Sequence, residues 1–320
     1  MTRPRLRVVL TRPLADPAAQ AWLDERAEVR MPGAAEVAAE LRDADGLIAV
    51  WPFRITARML EQAPGLRAIA TVTAGSDHVD CAAAARLGIA VITGAGAAPT
   101  PVVEYVLWAA IGLHRRFHEL GQRLADGTPD WPGRFGSLTA NEVHGQTLGI
   151  VGFGHIGQSL AALATRAFGM KVLVYDPYVS PVALPPGVLP TDLTELLNAS
   201  STVSLNLPLT QETRGLIGRQ ELRRIGSEGV LVNAARGGVV DESALLAALE
   251  AGELGGAALD VFESEPPSGE RIAALVRTGR VVVTPHAAGF SRQAAAALSR
   301  TAVQRLIGHL NADMTKDLDI

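Results

Sequence analysis

The 320-residue sequence holds a single cysteine, three tyrosines and four tryptophans, and its charge is nearly balanced at -4 with no run of like charges. Each scarcity excludes something. With Cys81 alone there is no internal disulfide and no Cys-rich metal site, and the seven histidines are scattered without metal-ligand spacing. Cys81 reads as a small, half-buried residue opening a helix. A chain without a basic face has no nucleic-acid partner. No apolar run is long enough to span a bilayer, and Met1 to Leu10 reads as a charged strand rather than a signal peptide. The expectation is a soluble, cytoplasmic protein with no membrane partner. Repeats of solenoid length are also missing. What is abundant is apolar residue, 48% against 19% charged, over a length that suits two domains.

Short apolar runs alternate with helix-like segments. Arg7 to Thr11, Gly46 to Val50, Ala68 to Thr73 and Ile89 to Ile92 read as strands, with helices over Pro17 to Glu28, Glu36 to Arg42, Thr56 to Gln62 and Asp80 to Leu87. Such alternation implies a parallel sheet covered on both faces. A Gly/Ala/Pro-rich break, Gly94 to Pro101, then precedes a long apolar segment to about Gly121. Asp126 to Gly145 has no clear period and reads as a long loop. From Thr147 the alternation restarts, with six strands: Thr147 to Val151, Lys171 to Tyr175, Thr202 to Asn206, Gly229 to Asn233, Ala257 to Asp260 and Val281 to Thr284. An alanine-rich helix, Ser291 to about Leu310, follows. The expected organisation is α/β: two doubly wound parallel-sheet domains, a Rossmann domain over 99–287 inserted in a flavodoxin-like domain made of 1–98 and 288–320, with a cleft between them.

The turn after the first strand of the inserted domain is Gly152-Phe153-Gly154-His155-Ile156-Gly157. Gly152 permits the sharp strand-to-helix turn, Gly154 lets backbone approach a pyrophosphate, and Gly157 lets the helix pack against the strand. The pyrophosphate would meet free N–H groups at the positive end of the helix dipole. Asp176 ends the next strand, placed to accept from the adenosine ribose hydroxyls and to repel a 2′-phosphate, so the pattern points to NAD over NADP.

Ligands of open parallel sheets bind beyond the carboxyl ends of the strands. There the sequence puts Asn233-Ala234-Ala235-Arg236-Gly237-Gly238, then Asp260-Val261-Phe262-Glu263-Ser264-Glu265-Pro266-Pro267, then Thr284-Pro285-His286-Ala287-Ala288-Gly289. Hydride transfer to a carbonyl needs a clamp, a proton donor and a held cofactor. The planar fork of Arg236 suits a carboxylate. His286 suits proton transfer near neutral pH, and Glu265 on its other ring nitrogen would fix the tautomer. Asp260 would accept from the nicotinamide carboxamide or face the positive ring, or else merely cap its turn. Taken singly, Arg236 reads as a surface group, His286 as a structural histidine, and Glu263 or Glu265 as a solvated acid; their placement on three successive strand ends is what singles them out.

These motifs, with Leu207-Pro208-Leu209-Thr210 and Glu212-Thr213-Arg214-Gly215, resemble the D-isomer-specific 2-hydroxyacid dehydrogenase family over nearly the whole chain. The resemblance implies a catalytic trio of Arg236, Glu265 and His286, favouring Glu265 over Glu263. It implies cofactor contacts at His155, Ile156, Asp176, Leu207, Pro208, Thr213, Ala234, Ala235, Asp260 and Gly289. It also implies a homodimer in which the long loop, including Trp131, reaches toward the neighbour. Thr73-Ala74-Gly75-Ser76-Asp77-His78-Val79-Asp80 is similar to the family's substrate-carboxylate loop, with Ala74, Gly75 and Ser76 offering backbone N–H groups. Thr73 stands where that loop usually has its first glycine. The loop is also similar to that of formate dehydrogenases, which are expected to carry glutamine where this chain has Glu265, so Glu265 argues for a 2-oxo or 2-hydroxy acid. Trp51 to Arg54 reads equally as a packed aromatic loop or as a pocket wall with Arg54 touching a second anionic group. The activity implied is NAD-dependent interconversion of a small 2-oxo acid and its D-2-hydroxy acid, of the glyoxylate or hydroxypyruvate kind. The alternatives are a phosphoglycerate dehydrogenase-like enzyme, disfavoured by an end at Ile320, and an NAD-sensing corepressor, disfavoured by the lack of extra tails.

Overall fold

Strands buried on both faces need near-continuous apolar sequence, and the chain supplies two sets of them. The computed structural model describes residues 5–125, 127, 140–180 and 184–316, divided into one unit of Met1–Ala98 with Phe290–Ile320 and another of Pro99–Gly289. In the first unit the strands are β1 (Leu6–Leu10), β2 (Ala27–Arg30), β3 (Gly46–Ala49), β4 (Ala68–Thr71) and β5 (Ala90–Ile92). They form one parallel sheet in the flavodoxin-like order β2-β1-β3-β4-β5. Between them lie α1 (Pro17–Arg26), α2 (Val37–Glu40), α3 (Ala57–Glu61) and α4 (Cys81–Arg86). Asp16 caps α1 by accepting from the Ala18 N–H, and Asp80 caps α4 through Ala83. The helix expected over Pro17 to Glu28 stops at Arg26, because Ala27–Arg30 pairs in parallel register with β1. Cys81 opens α4 as expected but is exposed rather than half-buried.

The second unit begins with α5 (Thr100–His114) and α6 (Phe117–Ala125), so the long apolar segment is two helices, broken where Arg116 takes φ +53°. There follow β6 (Thr147–Val151), α7 (His155–Phe168), β7 (Lys171–Tyr175), β8 (Val188–Pro190), α8 (Leu193–Ala199), β9 (Thr202–Leu205), α9 (Arg219–Ile225), β10 (Val230–Asn233), α10 (Glu242–Glu250), β11 (Gly256–Leu259), α11 (Gly269–Arg277) and β12 (Val281–Val283). The parallel order is β12-β11-β10-β9-β6-β7-β8, a Rossmann sheet of seven strands; the expected six are joined by β8 at the edge. Val103, Val106, Leu160 and Ala164 pack on one face of this sheet, and Leu196, Leu222, Leu245 and Leu249 on the other. Gly149 in β6 keeps the second layer close, since a Cβ there would lie 2.4 Å from Leu196 Cδ2. Trp131 and most of the Asp126 to Gly145 stretch lie outside the described residues.

The last helix, α12 (Arg292–Lys316), returns to the first unit, where Val303, Leu306, Ile307 and Leu310 join Val8, Leu10, Ile48 and Ala70 in one core. Among the described residues no helix is long and apolar enough to cross a membrane.

Candidate active site

The glycine turn between β6 and α7 has the shape a pyrophosphate requires. Gly152 takes φ +92°, and a Cβ on it would lie 2.6 Å from the Asn206 carbonyl oxygen. A Cβ on Gly157 would lie 2.5 Å from the Gly152 carbonyl oxygen, whereas one on Gly154 would meet nothing within 4 Å. Gly152 and Gly157 therefore hold the chain tight while Gly154 leaves its outer side open at the start of α7. His155, Ile156 and Gly157 form the first turn there, whose N–H groups have no intrahelical acceptors.

Asp176 follows β7 and accepts twice from backbone, from the Phe153 N–H at 2.7 Å and the Tyr178 N–H at 2.9 Å. Each carboxylate oxygen retains a lone pair for a ribose hydroxyl. Beside it a cavity of about 310 Å³ is walled by Val174, Val179, Leu184 and Pro190, apolar surfaces suited to a purine. After β9, Thr213 donates to the Pro208 carbonyl at 2.6 Å and accepts from the Thr210 N–H at 2.8 Å, fixing the loop that carries Leu207 and Pro208.

The three candidate catalytic side chains stand after β10, β11 and β12. Asn233, at the end of β10, is 1% exposed; it accepts from the Ala235 N–H and donates to the Arg236 carbonyl, shaping the Ala234–Ala235–Arg236 turn. The Arg236 guanidinium donates to the Ala235 carbonyl at 2.7 Å. Gly237 lies so close to the next loop that a Cβ on it would fall 1.7 Å from the Phe262 carbonyl oxygen. Glu265 accepts from the Phe262 N–H at 3.2 Å through one oxygen and meets His286 Nδ1 at 2.8 Å through the other. That contact puts the Nδ1 proton toward the acid and assigns proton exchange to Nε2.

His286 takes φ +53°, uncommon for a residue with a side chain and worth about 1–3 kcal/mol of strain. Asp260 holds it there. Its main-chain carbonyl accepts from the His286 N–H at 2.8 Å, and its carboxylate, 1% exposed, accepts from the Ala287 and Ala288 N–H groups and the Thr284 hydroxyl at 2.7, 2.9 and 2.6 Å. The Tyr105 hydroxyl lies 3.0 Å from Thr284 Oγ1, and burial pushes its pKa up to about 12. Asp260, expected to face the nicotinamide, thus spends most of its lone pairs on the His286 loop. Gly289 follows that loop, and a Cβ on it would lie 4.0 Å from Val102 Cγ2. Thr284, Tyr105 and Glu242 were not singled out from the sequence; the only signal for Glu242 was its place beside a helix-capping Asp241.

In the first unit, Thr73 Oγ1 donates to the Gly75 carbonyl at 2.6 Å, so threonine closes this loop from within. Among the described residues the Ala74, Gly75 and Ser76 N–H groups have no protein acceptor. His78 is buried, its Nε2 without a hydrogen-bond partner among the described residues, and its ring stands edge-on to Trp51 at 5.7 Å; burial lowers its pKa.

Residues 107–288 match the family model described as D-isomer specific 2-hydroxyacid dehydrogenase, NAD binding domain. The chain belongs to the D-isomer specific 2-hydroxyacid dehydrogenase family. It is similar to a glyoxylate reductase of Thermofilum pendens, 36% identical over 88% of this chain and 83% of that one. It is also similar to a D-3-phosphoglycerate dehydrogenase of Methanocaldococcus jannaschii, 32% identical over 98% of this chain and 59% of the relative. Among solved structures, the D-lactate dehydrogenase of Aquifex aeolicus, complexed with NAD and lactic acid, superposes with a TM-score of 0.80 at 25% identity, covering 97% of this chain and 96% of that one. The open face at Gly154, the two retained lone pairs of Asp176 and the apolar cavity fit NAD, the cofactor of this dehydrogenase family.

Proposed function

We propose that this dehydrogenase interconverts a small 2-oxo acid of the glyoxylate or hydroxypyruvate kind and its D-2-hydroxy acid, with Arg236, Glu265 and His286 as the catalytic residues. The observation that carries the reading is the 2.8 Å contact between Glu265 and His286 Nδ1, on the strand end next to the Arg236 turn. A bound nicotinamide supplies or accepts the hydride at C2. His286 Nε2 gives the proton to the oxygen formed at C2, or takes it in the reverse direction. Glu265 keeps the ring in the tautomer and orientation this needs and stabilises the imidazolium. Arg236 pairs with the substrate carboxylate and polarises the adjacent carbonyl. The open N–H groups of Ala74, Gly75 and Ser76 are assigned to an anionic group of the substrate, as a backbone nest. Cofactor contacts are assigned to Gly152, Gly154, His155, Ile156, Gly157, Asp176, Leu207, Pro208, Thr213, Ala234, Ala235, Arg236, Asp260, His286 and Gly289.

The reading extends to a cytoplasmic homodimer whose first unit binds substrate. Trp108, Phe117 and Leu124, each more than half exposed on α5 and α6, support self-association. Similarity to a phosphoglycerate dehydrogenase favours a second reading, in which the substrate is phosphorylated.

The test is NADH oxidation against glyoxylate, hydroxypyruvate, phenylpyruvate and phosphohydroxypyruvate, with NADPH run beside it. Turnover fastest with glyoxylate or hydroxypyruvate is expected, and with Arg236→Ala a loss of about three or more orders of magnitude in kcat/KM while NADH still binds. No turnover with any of the four, or near-normal turnover by the variant, would remove the assignment.

A further inference from the structure

Two acids that the reaction does not use tie the Arg236 turn to the loop carrying Glu265. Glu242 is the first residue of α10, and its N–H donates to Glu263 Oε1 at 3.1 Å. The Glu263 N–H donates back to Glu242 Oε1. Each side chain thus satisfies the other's backbone, across 21 residues of sequence. Glu242 is 4% exposed, and its second oxygen accepts from Arg271 of α11 at 3.1 Å. Asp241 takes the next two N–H groups of α10, so the amides of residues 242 to 244 are all satisfied by acids. On the other side of the turn, the Gly215 N–H donates to the Gly238 carbonyl and the Ile217 N–H to the Val239 carbonyl. Residues 238 to 242 are therefore held at both ends, while Gly237, just before them, is pressed on Phe262, whose N–H is in turn bonded to Glu265.

We propose that Glu242 and Glu263, anchored by Arg271, are positioning residues that set the spacing between Arg236 and the Glu265–His286 pair. The proposal rests on the assignment of Arg236 as the substrate clamp. A charge-assisted bond from a carboxylate to a backbone N–H is short and directional, and catalysis is sensitive to such spacing: about 1 Å of misplacement costs roughly a hundredfold in rate. The two reciprocal bonds act on the one distance that neither loop fixes by itself, since Arg236 and Glu265 lie on separate strand ends.

Glu263 is the side chain to change, because it is exposed and its loss leaves the buried Glu242–Arg271 pair in place. Glu263→Ala is expected to raise KM for the 2-oxo acid and lower kcat, reducing kcat/KM by about tenfold or more, with NADH affinity and melting temperature close to wild type. Glu263→Gln keeps an oxygen acceptor for the Glu242 N–H and should restore most of the loss, which a general loss of surface charge would not allow. Amide exchange gives a readout independent of turnover: the Glu242 N–H should exchange faster in Glu263→Ala and not in Glu263→Gln. Wild-type kinetics or unchanged exchange in Glu263→Ala would overturn the brace and leave the dehydrogenase reading standing. A wild-type protein that turns over no 2-oxo acid withdraws both.

Discussion

Replacing Gly237 by alanine tests the arrangement of the catalytic loops with one methyl group. A Cβ at this position would lie 1.7 Å from the Phe262 carbonyl oxygen, 2.0 Å from its carbon and 2.7 Å from the Glu263 nitrogen, all backbone atoms. Ordinary contact begins at 3.4 Å, so the loops after β10 and β11 must separate by about 1.7 Å, the difference between 3.4 and 1.7 Å. No side-chain rotation relieves such a clash, and the Glu242–Glu263 bonds resist it. Since about 1 Å of misplacement costs roughly a hundredfold, kcat/KM should fall by about a hundredfold or more, near 2.7 kcal/mol in barrier. Overpacking of this kind costs about 1–3 kcal/mol of stability, a drop of a few degrees in Tm. The glycine turn and Asp176 sit at other strand ends, whereas Ala234, Ala235 and Arg236 lie on the displaced loop, so NADH affinity should fall too, but by less than kcat/KM. The assay is steady-state oxidation of NADH with the best 2-oxo acid, beside NADH titration by fluorescence. A Gly237→Ala enzyme within about threefold of wild-type kcat/KM would refute the claim that the close approach of these loops sets the catalytic geometry.

Asp176→Ser should weaken NADH binding by about ten- to a hundredfold, because the acid proposed to take the ribose hydroxyls also latches the Phe153 N–H, and should raise the NADPH to NADH preference. Dissociation constants for the two cofactors check this, and an unchanged ratio counts against the role. Stability should fall as the solution is acidified below pH 6.5. Burial holds the pKa of both His78 and His114 below the ordinary 6.5, so under acid the unfolded chain takes up protons that the folded chain refuses. Melting temperatures between pH 7.5 and 5.5 measure the slope; His114→Gln should flatten it, and an equally steep slope in that variant would clear His114 of the effect.

The central strands were legible because burial on both faces leaves an uninterrupted apolar run, as in Thr147–Val151 or Val230–Asn233. The two strands that escaped notice are edges. Ala27–Arg30 carries Glu28 and Arg30 and buries only Ala27, and Val188–Pro190 is three residues long and ends in proline. Their pairing is decided by a neighbour rather than by their own composition. At the candidate site, the placement of Arg236, Glu265 and His286 after three neighbouring strands could be read because the strands are apolar runs that end just before them. The reciprocal contact of Glu242 and Glu263 could not: in sequence each is one acid among 33 acidic residues, and only folding makes one the acceptor for the other's backbone. Asp260 shows the same limit, since its several bonds to residues 284 to 288 depend on where β11 and β12 end.

The placement of α12 bears on how the polypeptide is made. Its Leu306 and Leu310 fill the space over Gly46 in β3, where an added methyl would lie 2.9 Å from Leu310 Cδ1. A ribosome delivers this helix only after Pro99–Gly289, so strands β1 to β5 must wait, one apolar face covered only in part by Ala19 and Leu23 of α1, until that whole unit has been synthesised. The unit Pro99–Gly289 is therefore the part able to reach its native state first, and the stretch from β1 to β5 is the one in need of protection from aggregation while it waits for α12.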